Sequence, residues 1–348
     1  MASETRQSTE QSAGPDAGNA AQRYRLIDFG DGRKLESLGG YVVDRPSPAA
    51  LGHCPARPRA WMDVDARFTR DFTGGSPSTT GRSDKERSPG GPDAREAWRI
   101  ARPMPADRVM DCGPFAMPIR MTPLGHIGIF PEQQSNWRWL ADVVQRQTVI
   151  AAEQGRVGDD GLPAVDAMNW FAYTGASTMA MAAAGARVVH VDAAKPNVRA
   201  ARIAATTSDL DDAIIKYYVD DVPTFAARQQ RRQMQYDLLV MDPPAYGHGA
   251  KSGRGNRGRT WRIARDLWPL LHVAASLLRP SGALLITGHS PEVDEQSLRD
   301  YFQPEGKGCR VFARTFQMKT GRMNLRDDSG RLLDAGFFVR LESPMENA

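Results

Sequence analysis

Between residues 163 and 288 five short apolar runs alternate with four stretches of helical character, and that alternation leaves few folds open. The runs are 163–171, 187–192, 213–221, 236–241 and 282–288, and the helical stretches are 178–184, 197–205, 222–233 and 259–278. A strand, a crossover helix and a parallel strand, repeated, build an open sheet with helices on both faces. Two later runs, 310–316 and 337–341, have no helical pattern between them and are expected to pair antiparallel. The expected fold class is therefore α/β: a doubly wound, Rossmann-like sheet with a terminal antiparallel hairpin.

In such a sheet the carboxyl ends of neighbouring strands face one crevice, where ligands bind. The run 236–241 ends in Asp242-Pro243-Pro244-Ala245-Tyr246. Proline fixes φ and donates no hydrogen bond, so this loop is stiff and turns the Asp242 carboxylate and backbone carbonyls to the crevice. Tyr246 adds a flat face for a flat substrate. The first strand runs into Tyr173-Thr174-Gly175-Ala176-Ser177, a small-residue turn that lets a ligand approach the backbone and a helix N-terminus. The second ends in Asp192, near the offset at which an acid takes ribose hydroxyls, and the third in Asp220-Asp221. One acid after a strand is an ordinary turn or cap residue. Acids on three successive strand ends point to a ligand. The turn lacks the GxGxxG spacing of a pyrophosphate site, so an adenosine carrying a sulfonium and an amino acid fits better.

At these residues the sequence resembles class I S-adenosylmethionine-dependent methyltransferases, and within them the bacterial large-subunit ribosomal RNA methyltransferases of the cytosine-C5 and guanine-N7 type. Asn169-Trp-Phe-Ala-Tyr-Thr-Gly175 resembles the family's first motif, Val189-His-Val-Asp192-Ala-Ala-Lys195 its ribose-binding strand and Asp242-Pro-Pro-Ala-Tyr-Gly its substrate motif. Gly128-Ile-Phe-Pro-Glu132-Gln133 resembles the segment before the catalytic domain. The likeness covers about residues 125–341, and more loosely 24–72 and 95–122. It implies S-adenosylmethionine as cofactor, with Tyr173 to Ser177 around its methionine part, Asp192 and Lys195 at the ribose, and Asp220 or Asp221 at the adenine amine. It also implies that Asp242, Pro243, Pro244 and Tyr246 face the target base.

Methylation of cytosine C5 needs a cysteine to add to C6 first. Cys54, Cys112 and Cys309 lie outside these motifs, and Thr287-Gly288-His289-Ser290 occupies the fifth strand end. A nitrogen lone pair needs no covalent step, so a nitrogen target is expected. The cysteines also show no metal-ligand spacing, and no metal is expected.

The formal charge is only +4, from 45 basic and 41 acidic residues, but it is concentrated. Residues 226–265 hold nine basic side chains against Asp237 and Asp242 alone. Lys251, Arg254, Arg257 and Arg259 sit in a glycine-rich loop suited to tracking phosphates, so RNA, ribosomal RNA above all, is the expected partner. Trp261 beside this loop either stacks on a base or packs in the core. His126 is expected to be a hydrogen-bonding loop residue. A methyltransferase for a small molecule or a protein, and a non-catalytic RNA-binding protein, remain open on these residues.

Upstream, residues 1–22 contain no large apolar residue after Met1 and are expected to be disordered. Residues 23–125 read as a small β-rich module with a low-complexity insertion near 73–95, and 126–348 as the methyltransferase domain. Ser135 is expected to cap a helix reaching about Gln154, with Trp139, Leu140, Val143 and Val144 on its apolar face. The family's separate RNA-binding module is expected to be lacking. No apolar run approaches a membrane span and the polar N-terminus is unlike a targeting peptide, so a cytoplasmic location is expected.

Overall fold

The structure is a computed structural model that describes residues 22–69, 97–248 and 260–344. Residues 1–21 of the expected tail, the expected insertion at 73–95, and Lys251, Arg254, Arg257 and Arg259 lie outside the described residues.

The N-terminal part is β-rich, as expected. β1 (Arg25–Gly30), β2 (Arg33–Leu38), β3 (Tyr41–Pro46), β4 (Ala66–Phe68) and β5 (Trp98–Ile100) form one sheet in chain order. β6 (Val109–Asp111) and β7 (Ala116–Pro118) make a separate antiparallel pair. Helix α1 (Gln134–Glu153) follows. Ser135 does not cap it: the cap position is Gln133, which makes no side-chain cap bond, and the Ser135 hydroxyl instead accepts from Arg340. The buried stripe of α1 contains Trp137, Leu140, Val143 and Val144, while Trp139 is only partly buried.

The alternating elements are β8 (Asp166–Trp170), α2 (Ala176–Ala183), β9 (Arg187–Asp192), α3 (Lys195–Thr207), β10 (Ile215–Val219), α4 (Val222–Arg231) and β11 (Tyr236–Met241). Beyond these come the short strands β12 (Tyr246–His248) and β13 (Thr260–Arg262), then α5 (Ile263–Leu277), β14 (Leu278–Gly288), α6 (Glu295–Phe302), α7 (Lys307–Phe312), β15 (Gln317–Arg326) and β16 (Leu332–Glu342). The main sheet has seven strands in the order β10-β9-β8-β11-β14-β16-β15. β10, β9, β8, β11 and β14 pair in parallel, and β16 is antiparallel to both its neighbours.

Side-chain alternation on β11 shows why the sheet is covered twice. Leu238 and Val240 pack with Leu140, Val144 and Met181 of α1 and α2, whereas Leu239 and Met241 pack with Leu267 and Leu271 of α5. A strand buried on both faces reads as an unbroken apolar run. A third cluster joins Tyr41, Phe68 and Met117 of the N-terminal strands to Met179 of α2 and Ala204 of α3.

The terminal hairpin exists, but its first strand is not 310–316. Most of that run belongs to α7 and the turn after it, where Phe312 and Phe316 meet edge to face at 5.4 Å and both contact Phe302. The true partner of β16 is β15, an edge strand with exposed Arg322, Asn324 and Arg326. An edge strand packs one face and keeps polar residues on the other, so no apolar run marks it.

The hairpin tip is tied to β1 through Asp28. That carboxylate is fully buried and accepts from Trp61 Nε1 (2.8 Å), from the amides of Arg57 (2.8 Å), Ala56 (3.1 Å) and Phe29 (2.9 Å), and from the Arg331 guanidinium. Burial pulls its pKa upward, but the bonds from Trp61 and the three amides outweigh this and hold it below the ordinary value. Removing one partner of a buried ion pair costs about 3–5 kcal/mol, so Asp28→Ala should lower the unfolding free energy by that order at neutral pH. Because the folded pKa is depressed, the contribution is complete above the unfolded value of about 4 and is lost as pH falls through the folded value. Denaturant titrations of wild type and variant should therefore converge toward acid pH, and a gap that does not change with pH contradicts this account.

Candidate active site

The carboxyl ends of β8, β11 and β14 open into a crevice of about 450 Å³, a volume that includes solvent at its mouth. Its walls include Phe130, Gln133, Phe171, Tyr173 to Ser177, Asp242 and Thr287. Among the described residues Asp242 is the only charged one on these walls.

The turn from β8 to α2 is wound unusually. Phe171 (φ 55°), Tyr173 (φ 51°) and Gly175 (φ 92°) all adopt left-handed conformations. For the two aromatic residues this costs about 1–2 kcal/mol each, so the surroundings must hold the turn. They do so through Ala172 N–H to the Val191 carbonyl (3.1 Å), Tyr173 N–H to Asp192 Oδ2 (2.8 Å) and the Thr174 hydroxyl to the Gly128 carbonyl. Glycine is required at 175 for space as well as φ, since a Cβ there would stand 3.0 Å from the Cβ of Ala201 in α3. Beneath the turn, Asn169 donates to Thr178 Oγ1 (3.0 Å), which lies 3.0 Å from His190 Nδ1. Burial drives the His190 pKa down to about 3, so this imidazole is neutral. The outcome is that the first turn of α2, at Ala176 and Ser177, faces the crevice with backbone amides that have no partner within the helix.

Of the acids expected at the strand ends, Asp192 and Asp242 stand closest to this arrangement. Asp192 is buried and accepts from Tyr173 N–H, from Ala194 N–H (2.8 Å) and from Asn197 Nδ2 (3.1 Å), so it braces the turn. Burial raises its pKa against the pull of those bonds. Asp221 caps α4, accepting from the amide (3.1 Å) and hydroxyl (2.8 Å) of Thr224. Asp220 pairs with Arg228 and accepts from the Asp221 amide. Lys195 begins α3, is exposed and does not line the crevice.

Asp242 follows β11 directly. Its carboxylate accepts from Gln133 Nε2 (3.3 Å), and the Thr287 hydroxyl beside it favours its charge. Burial raises its pKa, and those two donors, together with the charge of His289, work against the rise. In the proline loop the Pro244 carbonyl accepts from Trp261 Nε1 (2.7 Å) and the Ala245 carbonyl from Ile263 N–H (3.0 Å). Trp261 is thus a buried clamp on the loop, its ring 4.8 Å from that of Phe171. Tyr246 is 52 % exposed and opens β12, which pairs antiparallel with β13. His126 packs edge-on to Phe130 and Tyr173.

None of the three cysteines lines the crevice; burial pushes Cys112 up to about 12, and Cys309 lies in α7. Gln133 and Trp261 are parts of the site that strand-end reading does not single out. A polar residue in register with the apolar stripe of α1, as Gln133 and Asn136 are, is the signal that could have found Gln133.

No protein-family model matches the chain. The crystal structure of a SAM-dependent methyltransferase from Agrobacterium tumefaciens superposes with a TM-score of 0.72 at 28% identity, covering 92% of this chain and 90% of that one. A candidate ribosomal RNA large subunit methyltransferase of Bacillus subtilis (strain 168) is 26% identical over 124 residues, 35% of this chain and 30% of that protein. Ribosomal RNA large subunit methyltransferase I of Shewanella denitrificans is 28% identical over 119 residues, 34% of this chain and 28% of that protein. The matches to these two proteins thus span less than a third of their length. In fold the chain is similar over most of its length to a SAM-dependent methyltransferase, and in part of its sequence to ribosomal RNA large subunit methyltransferases.

Proposed function

We propose that the protein transfers a methyl group from S-adenosylmethionine to a ring or exocyclic nitrogen of an RNA nucleobase, with ribosomal RNA of the large subunit as substrate. The observation that carries this reading is the charge of the crevice. Among the described residues its walls hold one carboxylate, several aromatic faces and no lysine or arginine, which suits a cationic nucleoside better than a phosphate-bearing one. S-adenosylmethionine supplies a methyl group made electrophilic by its sulfonium. The turn at Tyr173 to Ser177 takes the methionine part, Asp192 the ribose and Asp220 or Asp221 the adenine amine.

At the other wall Asp242 accepts a hydrogen from the target nitrogen and orients its lone pair in line with the methyl carbon. With the Pro244 and Ala245 carbonyls occupied, the Pro243 carbonyl is an acceptor of this loop for a second hydrogen. Tyr246, exposed beside it, stacks on the base taken out of its strand. Formation of the nitrogen–carbon bond would break the carbon–sulfur bond and leave a neutral thioether, and the proton of the methylated nitrogen would pass to the Asp242 carboxylate. A cysteine addition step has no candidate here, which supports nitrogen over cytosine C5.

Calorimetry with S-adenosylhomocysteine should show binding by the wild type, weakened tenfold or more in Asp192→Ala; absence of binding, or equal binding by both, overturns the cofactor assignment. Asp242→Asn should cut single-turnover methyl transfer about 100-fold while leaving that binding within a few-fold. RNA affinity should fall with salt, and replacing Lys251, Arg254 and Arg257 by alanine should lower the slope of log affinity against log salt by about 2. An unchanged slope contradicts the role of the basic segment, and transfer into a metabolite extract but not into stripped ribosomal RNA would favour a small-molecule substrate.

A further inference from the structure

Behind Asp242 runs a chain of buried polar side chains whose direction is dictated from its far end. Arg340 on β16 is 8 % exposed and is stacked between the rings of Phe338 (4.3 Å) and Trp139 (5.4 Å). Among the described residues no carboxylate pairs with it: Glu342, two residues on, is taken by Arg146 (2.6 Å) and Trp139 Nε1 (2.9 Å). Arg340 spends its hydrogens on Asn136 Oδ1, from Nε at 3.0 Å and Nη2 at 2.7 Å, and on Ser135 Oγ at 3.3 Å.

A guanidinium can only donate, so the atom of Asn136 facing it must be the carbonyl oxygen. That turns Asn136 Nδ2 toward Gln133 Oε1 (2.6 Å), which turns Gln133 Nε2 toward Asp242 Oδ2 (3.3 Å) and Thr287 Oγ1 (3.1 Å). With its oxygen accepting from Gln133, Thr287 has its own hydrogen left for Asp242. Gln133 and Thr287 then both turn a hydrogen toward the carboxylate, a pattern that favours its ionised form.

We propose that Arg340, acting through Asn136 and Gln133, is a positioning residue that sets the amide polarity at the site and so presents Asp242 to its ligand as a pure hydrogen-bond acceptor. Without the arginine either amide could flip, and a carbonyl facing Asp242 would call for a protonated acid. The catalytic meaning of this chain rests on the role proposed above for Asp242; the chain itself does not. Other groups that bear on the carboxylate are His289, whose charge favours ionisation, and the buried walls, which oppose it.

The test is a 13C titration of the Asp242 carboxyl in the full-length protein, assigned by its loss in Asp242→Asn and run without cofactor or RNA. The midpoint should move to higher pH in Gln133→Leu and in Arg340→Met, and should stay at the wild-type position in Arg340→Lys, which keeps a donor-only group against Asn136. His289 is common to all of these proteins and cancels in the comparison. A midpoint unmoved in Gln133→Leu, or shifted equally by Arg340→Met and Arg340→Lys, overturns the proposal. Gln133→Leu leaves Arg340 and Asn136 paired, so the test survives if Arg340→Met fails to fold. A wild type found to transfer no methyl group would remove the proposed function and leave the titration outcome standing.

Discussion

A carboxylate at the end of a strand buried on both faces must either be supplied with donors or lose its charge. Asp242 is in that position, one residue beyond β11, and the rest of the site can be read as the way its charge is kept. Thr287 comes from the neighbouring strand β14, Gln133 from the entry to α1, and the residues that orient Gln133 from α1 and β16. The antiparallel insertion of β16 beside β14 therefore does more than close the sheet. It brings a buried arginine behind the crevice, whose walls hold no cation among the described residues.

The second half of the site depends on a different constraint. Three left-handed residues between 171 and 175 make a turn that no local preference would hold, and its energy is offset by bonds to β9, to Asp192 and to Gly128. Asp192 thus serves the turn before it serves any ligand. The segment at Gly128 belongs to the stretch that leads out of the N-terminal strands, and Ile127 and Ile129 pack in the cluster that joins those strands to α2 and α3. Together with the Asp28–Arg331 clasp this makes the N-terminal strands part of what supports the crevice.

Legibility in the sequence followed burial. β11 and β9 were read to the residue because interior parallel strands carry a run of apolar side chains, Leu238 to Met241 in one and Val188, Val189 and Val191 in the other. The helix expected from Arg259 begins only at Ile263, since Thr260–Arg262 pairs with Tyr246–His248, and three residues are too few to carry a periodic signal. β15 was missed because its solvent face breaks the apolar pattern. At the site, Asp192, Gly175 and Asp242 were visible as strand-end residues, whereas Asp221 followed the commoner fate of an acid before a helix and became a cap. Gln133, Asn136 and Arg340 were not legible as a unit. Their meaning lies in hydrogen bonds across 204 positions of sequence, and each alone is only a polar residue in an apolar neighbourhood.

The central claim is that a phosphate-averse crevice, with an ionised acid at one wall and no thiolate, methylates a nitrogen of an RNA base. Mass mapping of ribosomal RNA from cells with and without the gene tests it most directly. The account predicts that one N-methylated nucleobase of the large-subunit RNA disappears when the gene is removed. An unchanged RNA, or the loss of a 5-methylcytosine, would contradict it.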